Sequence, residues 1–167
     1  LNYLKVVFGC PIIEGYGATK SSAPITATWS NDPLAGHVGG VIPSLKLRLK
    51  DIPEMEYLST DPNPRGEVCC WGENVFKGYF KNDEKTKEAI DEEGWLRTGD
   101  VGMIFPNGSL KIIDRAKNIF KLSQGEYIAP EKSEMKIKTA NILQSFVYGD
   151  SMKSCLVAIV IPDPETG

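Results

Sequence analysis

The chain has 167 residues, 41% hydrophobic and 25% charged, with a formal net charge of −3, which is enough apolar material for one domain with a real core or for parts of two. That weakly acidic balance excludes the positive field of a nucleic-acid binder and the polybasic anchor of a membrane-surface protein. No apolar run reaches bilayer length and the first residues lack a signal-peptide pattern, so the composition points to a soluble intracellular protein.

Leu4 to Phe8 and Pro11 to Ile13 are short apolar runs, and the second reads as a strand feeding Glu14-Gly15-Tyr16-Gly17-Ala18-Thr19-Lys20. Two glycines around an aromatic let a backbone approach a flat ligand closely. Ser21, Ser22 and Pro24 read as loop before a strand at Ile25 to Trp29. Asn31 to Gly40 is another loop, and it holds His37, the single histidine. One histidine leaves no histidine-based catalytic system, so His37 is expected to line a turn. Leu45-Lys46-Leu47-Arg48-Leu49-Lys50 alternates with period two, the mark of a half-buried strand.

Pro53 to Pro64 is acidic and turn-rich, and Gly66 to Gly72 returns as an alternating strand containing Cys69 and Cys70. These two cysteines with Cys10 and Cys155 do not have zinc-site spacing, and they are expected to be reduced and mostly buried. Asn82 or Asp83 caps a short helix from Glu84 to Ile90, and Glu92 to Trp95 is a turn. Leu96 to Gly102 follows. Met103 to Phe105 and Leu110 to Ile113 form a hairpin across Asn107-Gly108, a dipeptide that favours tight hairpin turns.

A charged turn, Asp114-Arg115-Ala116-Lys117-Asn118, then separates two folded blocks, being too polar for a strand core. Beyond it the chain returns as Ile119 to Leu122, turns at Gly125 and enters a helix from Pro130 to about Thr139. Glu131 and Glu134 suit the positive end of that helix. Strands at Phe146 to Tyr148 and Leu156 to Ile161 close the chain, which reads as a piece cut from a longer protein.

Glu14 to Thr19, then Gly66-Glu67 with Gly78-Tyr79 and Thr86, then Trp95-Leu96-Arg97-Thr98-Gly99-Asp100, then Asp114-Arg115 with Gln124 to Glu131 occur in that order. This succession resembles the long-chain acyl-CoA synthetases of the adenylate-forming superfamily over essentially the whole chain. The resemblance implies an α+β, β-rich fold. A distorted β-barrel-like subdomain ending the large AMP-binding domain (1–114) is followed by a hinge (115–118) and the start of a small α+β lid (119–167).

It also implies an ATP-dependent ligase that makes a fatty acyl-adenylate and passes the acyl group to coenzyme A. Its substrates and cofactors would be ATP/AMP, Mg²⁺, coenzyme A and a long-chain fatty acid. By the same resemblance Tyr16 stacks on adenine while the backbone of Glu14, Gly15 and Gly17 frames the base edge. Asp100 takes the ribose hydroxyls, and Arg115 lies near ribose and phosphate. Thr19 donates to the α-phosphate, Lys117 is the hinge pivot, and Gly125 lines the pantetheine path.

Lys20 stands where the family carries a Mg²⁺-holding glutamate, so no metal ligand is assigned. Either another carboxylate substitutes, the metal site is weakened, or this copy is impaired, and the last keeps a second reading open, a catalytically impaired homologue that binds nucleotide or acyl-CoA. Ser133 is a further departure, polar where relatives carry an apolar residue. Membrane association, at the endoplasmic reticulum, peroxisome or lipid droplet, would come from regions outside this stretch. The phosphate loop and the late lysine of the family are absent, so the chain by itself is expected not to turn over.

Overall fold

A computed structural model describes residues 2–30, 32–138 and 141–164. The chain divides between Ile113 and Asp114 into two units. The first holds α1 (Asn2–Phe8), β1 (Gly15–Ala18), β2 (Ala23–Ala27), β3 (Gly40–Val41), β4 (Leu45–Lys50), β5 (Arg65–Gly72), α2 (Asp83–Ala89), β6 (Leu96–Ile104) and most of β7 (Leu110–Arg115). Its strands form a three-stranded sheet, β1-β2-β3, and a four-stranded sheet, β4-β5-β6-β7.

Local chemistry explains most of these elements. Leu45 is buried and Leu47 packs on the same core with Ile25, Cys70, Ala89 and Leu96. The intervening Lys46 lies over Trp71, its cross-strand partner, with 4.9 Å to the ring centre. Arg48 lies over Trp95 at 4.4 Å, so the polar face of β4 covers aromatic surface with cationic side chains. β5 departs from simple alternation: Gly66 to Cys70 are all buried, because this strand is central and covered on both faces.

At the start of α2 the Asn82 side chain accepts from the Lys85 amide at 3.0 Å, satisfying one of the free donors of a helix start. The β6–β7 hairpin turns at Gly108, with φ +81°. Asn107 Oδ1 accepts from both the amide and the hydroxyl of Ser109.

The second unit contains a 3₁₀ turn at Ala116–Asn118, a hairpin of β8 (Phe120–Lys121) and β9 (Tyr127–Ile128), α3 (Pro130–Ile137), and an antiparallel pair, β10 (Ile142–Gly149) and β11 (Leu156–Pro162). α3 packs on β10. Glu134 does more than favour a helix dipole: its carboxylate accepts from the Val147 amide at 2.8 Å. Phe146, Tyr148, Val157, Ile159 and Ile161 are exposed along β10 and β11.

Several sequence expectations need correction. Pro11 to Ile13 is not a strand; the strand is the Gly15–Ala18 segment itself. Ser21, Ser22 and Pro24 are not simply loop, because Ser21 ends the Thr19–Ser21 3₁₀ turn and Pro24 lies inside β2. Proline is accommodated there because the β1–β2 register slips between Tyr16 and Gly17, next to its partner Gly17. Leu96 to Ile104 is one continuous strand. The charged segment after Ile113 is not a solvated turn at its start, since β7 continues to Arg115 and Asp114 is 1% exposed. The expected helix end at Thr139 lies outside the described residues, and α3 ends at Ile137.

The cysteines split evenly rather than being mostly buried: Cys69 and Cys70 are buried, whereas Cys10 and Cys155 are exposed. Burial pushes both the Cys69 and Cys70 thiols up to about 11. A maleimide at neutral pH is therefore expected to modify Cys10 and Cys155 and leave the buried pair unmodified until denaturant is added. A thiol that ionises later when folded than when unfolded also binds more protons when folded across that interval. Stability should thus fall as pH rises from the ordinary thiol range near 9.0 towards about 11. Mass spectrometry of the labelled sites and pH-dependent unfolding check the two statements.

Candidate functional site

The site is assembled from two distant stretches of the first unit. Tyr16 sits in β1 opposite Thr26, and its ring packs against the core around Ile25 and Leu96. Its hydroxyl donates to Asp100 Oδ2 at 2.7 Å across 84 residues of sequence. Burial raises the phenol well above its ordinary value, so Tyr16 is a donor rather than a phenolate at any physiological pH.

Asp100 is aimed by a bulge in β6. Glu67 pairs with Val101 and Cys69 with Arg97, leaving Thr98, Gly99 and Asp100 opposite Val68 alone. A bulge bends its strand and re-aims side chains, and Gly99 takes the left-handed backbone that this one needs, at φ +79°. Thr98 closes it: its hydroxyl donates to the Val68 carbonyl at 2.8 Å and accepts from the Asp100 amide at 3.1 Å.

Thr98→Val keeps the shape and removes both bonds. It should cost about 1–3 kcal/mol of stability in urea unfolding, while Thr98→Ser should restore most of it. A Val variant as stable as the parent would show that the bulge is held by β6 itself.

Before Tyr16, the Glu14 amide donates to Thr28 Oγ1 at 2.9 Å and the Glu14 carbonyl accepts from the Thr28 amide at 2.8 Å. The Glu14 side chain brings a buried oxygen, Oε2, with no partner among the described residues. Gly15 and Gly17 continue the exposed side of β1, and Thr19 is exposed at the start of the 3₁₀ turn. The Ser21 hydroxyl ties that turn to Ala18 at both amide and carbonyl.

Lys20 shares the turn with Thr19. Its carbonyl accepts from the Phe76 amide at 2.8 Å, and its ammonium lies over the Tyr79 ring with 5.6 Å to the centre. It borders a cavity of about 450 Å³ whose other charged walls are Lys85, Arg97, Glu67 and Glu88. Glu67 is nearly buried and its Oε2 accepts from Arg97 Nε and an Arg97 terminal nitrogen at 3.1 and 3.0 Å. Lys20 itself cannot serve Mg²⁺, a hard cation that needs oxygen ligands, because an ammonium cannot coordinate it. Among the described residues no three His, Cys, Asp or Glu side chains gather as a metal site.

Three expected site residues belong to the second unit. Arg115 is exposed at the end of β7, and Lys117 is exposed in the Ala116–Asn118 turn. Gly125 has φ +91° in the β8–β9 turn, where its amide donates to the Leu122 carbonyl at 2.9 Å. Asp114, one residue before Arg115, accepts from the amides of Arg115 and Glu131. His37 does line its turn: it is buried, and its Nδ1 accepts from the Gly39 amide at 3.1 Å.

The structure therefore joins Tyr16 with Asp100 and places Thr19 and Lys20 on one turn. Sequence reading missed Thr98, Thr28, Lys85 and the Glu67–Arg97 pair. Only Thr98 carried a local signal, as the first residue of a Thr-Gly-Asp turn two positions before the carboxylate it orients.

Residues 1–80 match the family of AMP-binding enzymes. The chain is 53% identical over 167 residues to long chain acyl-CoA synthetase 7, peroxisomal, of Arabidopsis thaliana, covering 99% of this chain and 24% of that protein. It is 50% identical over 167 residues to long-chain-fatty-acid–CoA ligase 1 of Homo sapiens, with the same coverage. Among solved structures, the A domain of carboxylic acid reductase from Segniliparus rugosus, in complex with AMP and a co-purified carboxylic acid, aligns with a TM-score of 0.83. That alignment has 35% identity and covers 98% of this chain and 25% of the other. The chain thus spans about a quarter of the length of the curated relatives it matches.

Proposed function

We propose, from the premise that this chain belongs to the AMP-binding enzymes of the adenylate-forming superfamily, that it is part of an ATP-dependent long-chain fatty acid–CoA ligase. The observation that carries the reading is the 2.7 Å bond between Tyr16 and Asp100. It brings the aromatic expected under adenine and the carboxylate expected on ribose to one point.

The roles follow from what each group can do. Tyr16 offers ring surface to a base, and stacking of that kind contributes about 1–3 kcal/mol. Tyr16 bonds to one Asp100 oxygen, and an ionised carboxylate is an acceptor with about four lone-pair sites, the group to meet ribose hydroxyls. The partnerless Glu14 Oε2 can accept from a donor at a base edge. Thr19 can donate to the α-phosphate, where charge develops as pyrophosphate leaves.

Arg115 would meet ribose and phosphate oxygens, and Lys117 would be the pivot about which a lid beginning at residue 119 turns. The two sheets of the first unit would be walls of the distorted barrel that ends the large domain. The exposed apolar side chains of β10 and β11 would be covered by further parts of the lid. Coenzyme A and the fatty acid would be the remaining substrates, and attachment to an organellar membrane would come from other segments. Among the described residues no helix is long and apolar enough to cross a membrane.

The test separates the two half-reactions in the full-length protein. Pyrophosphate exchange dependent on palmitate reports adenylate formation, and transfer to coenzyme A reports thioester formation. Gly125→Leu is expected to retain exchange and lose transfer, because a side chain there would obstruct the pantetheine thiol. Equal loss of both would remove Gly125 from that path. Nucleotide binding without any exchange would favour the second reading, a binding module with impaired catalysis, which Lys20 motivates.

A further inference from the structure

We infer that the cavity between the Thr19–Ser21 turn and the β6 bulge takes the polyphosphate of a nucleotide, and that the Lys20 ammonium there stands in for the charge of a divalent cation. ATP binding by this protein is then largely independent of Mg²⁺. The inference rests on the nucleotide reading above and deepens it at one corner of the same site.

Position comes first. The wall of the cavity opposite Lys20 includes Thr98 and Gly99, the two residues before Asp100, whose carboxylate meets Tyr16. A nucleoside held at that pair has its 5′ substituent within reach of this cavity, and about 450 Å³ accommodates a polyphosphate. The root of Lys20 is fixed by the Phe76 amide and by the Ser21 bonds to Ala18, so its ammonium is presented from a tied turn rather than a loose loop.

Charge comes second. Arg97 is committed to Glu67 through two bonds to one oxygen. Lys85 and Glu88 lie three residues apart on α2 and line the same cavity, and no ion pair joins them among the described residues. Lys20 has no carboxylate within ion-pair distance among the described residues, and its head rests on the Tyr79 ring. Of the cavity's cations it is the one that shares a turn with Thr19, and it has three donors and a flexible stem suited to phosphate as a point charge. The ammonium offers no oxygen ligand to a metal and would repel one placed directly against it.

The test measures ATP affinity of the full-length protein by titration calorimetry, in excess Mg²⁺ and in excess chelator. Three forms are compared: the parent, Lys20→Gln and Lys20→Glu. The parent should bind with affinities within about threefold in the two conditions. Losing or reversing one charge beside a phosphate shifts binding by about 10–100-fold. Lys20→Gln should therefore weaken binding at least about tenfold in chelator. Lys20→Glu should bind measurably only when Mg²⁺ is present.

A parent that needs Mg²⁺ by more than about tenfold overturns the inference and leaves the nucleotide reading standing, as does Lys20→Gln binding like the parent in chelator. Absence of ATP binding by every form in both conditions, with thermal unfolding showing the forms folded, removes the nucleotide reading itself.

Discussion

Asp100→Ala is expected to lower the affinity of the full-length protein for ATP by about 100-fold or more. Two ribose hydroxyls on one carboxylate contribute about 1.5–3 kcal/mol each, and each 1.4 kcal/mol is a factor of ten. The alanine also leaves the Tyr16 hydroxyl, now bonded to Asp100 at 2.7 Å, without its acceptor in a largely buried setting. Asp100→Asn separates these effects. It keeps an acceptor for Tyr16 and loses the charge, so it should fall between parent and alanine. Tyr16→Phe removes the hydroxyl and keeps the ring, and should cost far less than Asp100→Ala. Equilibrium titration with ATP ranks the three, and an Asp100→Ala protein that binds like the parent would take Asp100 out of the nucleotide site.

Asp114→Ala is the change expected to cost most in stability, about 3 kcal/mol, and to loosen the second unit locally. The carboxylate is 1% exposed. It accepts from the Arg115 amide at 2.6 Å, the Glu131 amide at 3.3 Å and, at the limit of a bond, the Asn118 side chain at 3.5 Å. α3 starts after Ala129, whose side chain gives no cap. Asp114 therefore serves one of the helix's free amides from 17 residues away, with a negative charge at the positive end of the dipole.

Removing it leaves part-buried donors without this acceptor, a loss of about 1–3 kcal/mol for each that stays unpaired. Hydrogen exchange should show faster amides at residues 115–119 and 131–134, with β4 and β5 unchanged. Asp114→Asn, retaining one acceptor oxygen, should lose roughly half as much. A change below about 1 kcal/mol in the alanine variant would mean that these bonds merely replace equivalent bonds to water.

Local rules made a good part of the fold legible. The period of β4, the Asn82 cap, the Asn107-Gly108 turn and Pro130 in the first turn of α3 are each decided by a few adjacent residues, and each lies where the sequence puts it. The order of motifs carried the family, because a string of spaced residues is itself a one-dimensional object.

Contacts were not legible where they depend on register. Nothing near Asp100 says that three residues of β6 face one residue of β5, yet that slip is what turns its carboxylate towards Tyr16. Asp114 reads as a solvated charge because its neighbours are polar. It is buried because two amides, one of them 17 residues away, arrive at its oxygens.

For this protein the sequence by itself determined many of the local elements and the resemblance to AMP-binding enzymes. The tertiary structure alone decided which side chains meet and that the Lys20 ammonium has no carboxylate within ion-pair distance among the described residues. Hydrogen-bond and charge pairing act over a few ångströms in space, and separation along the chain does not constrain them.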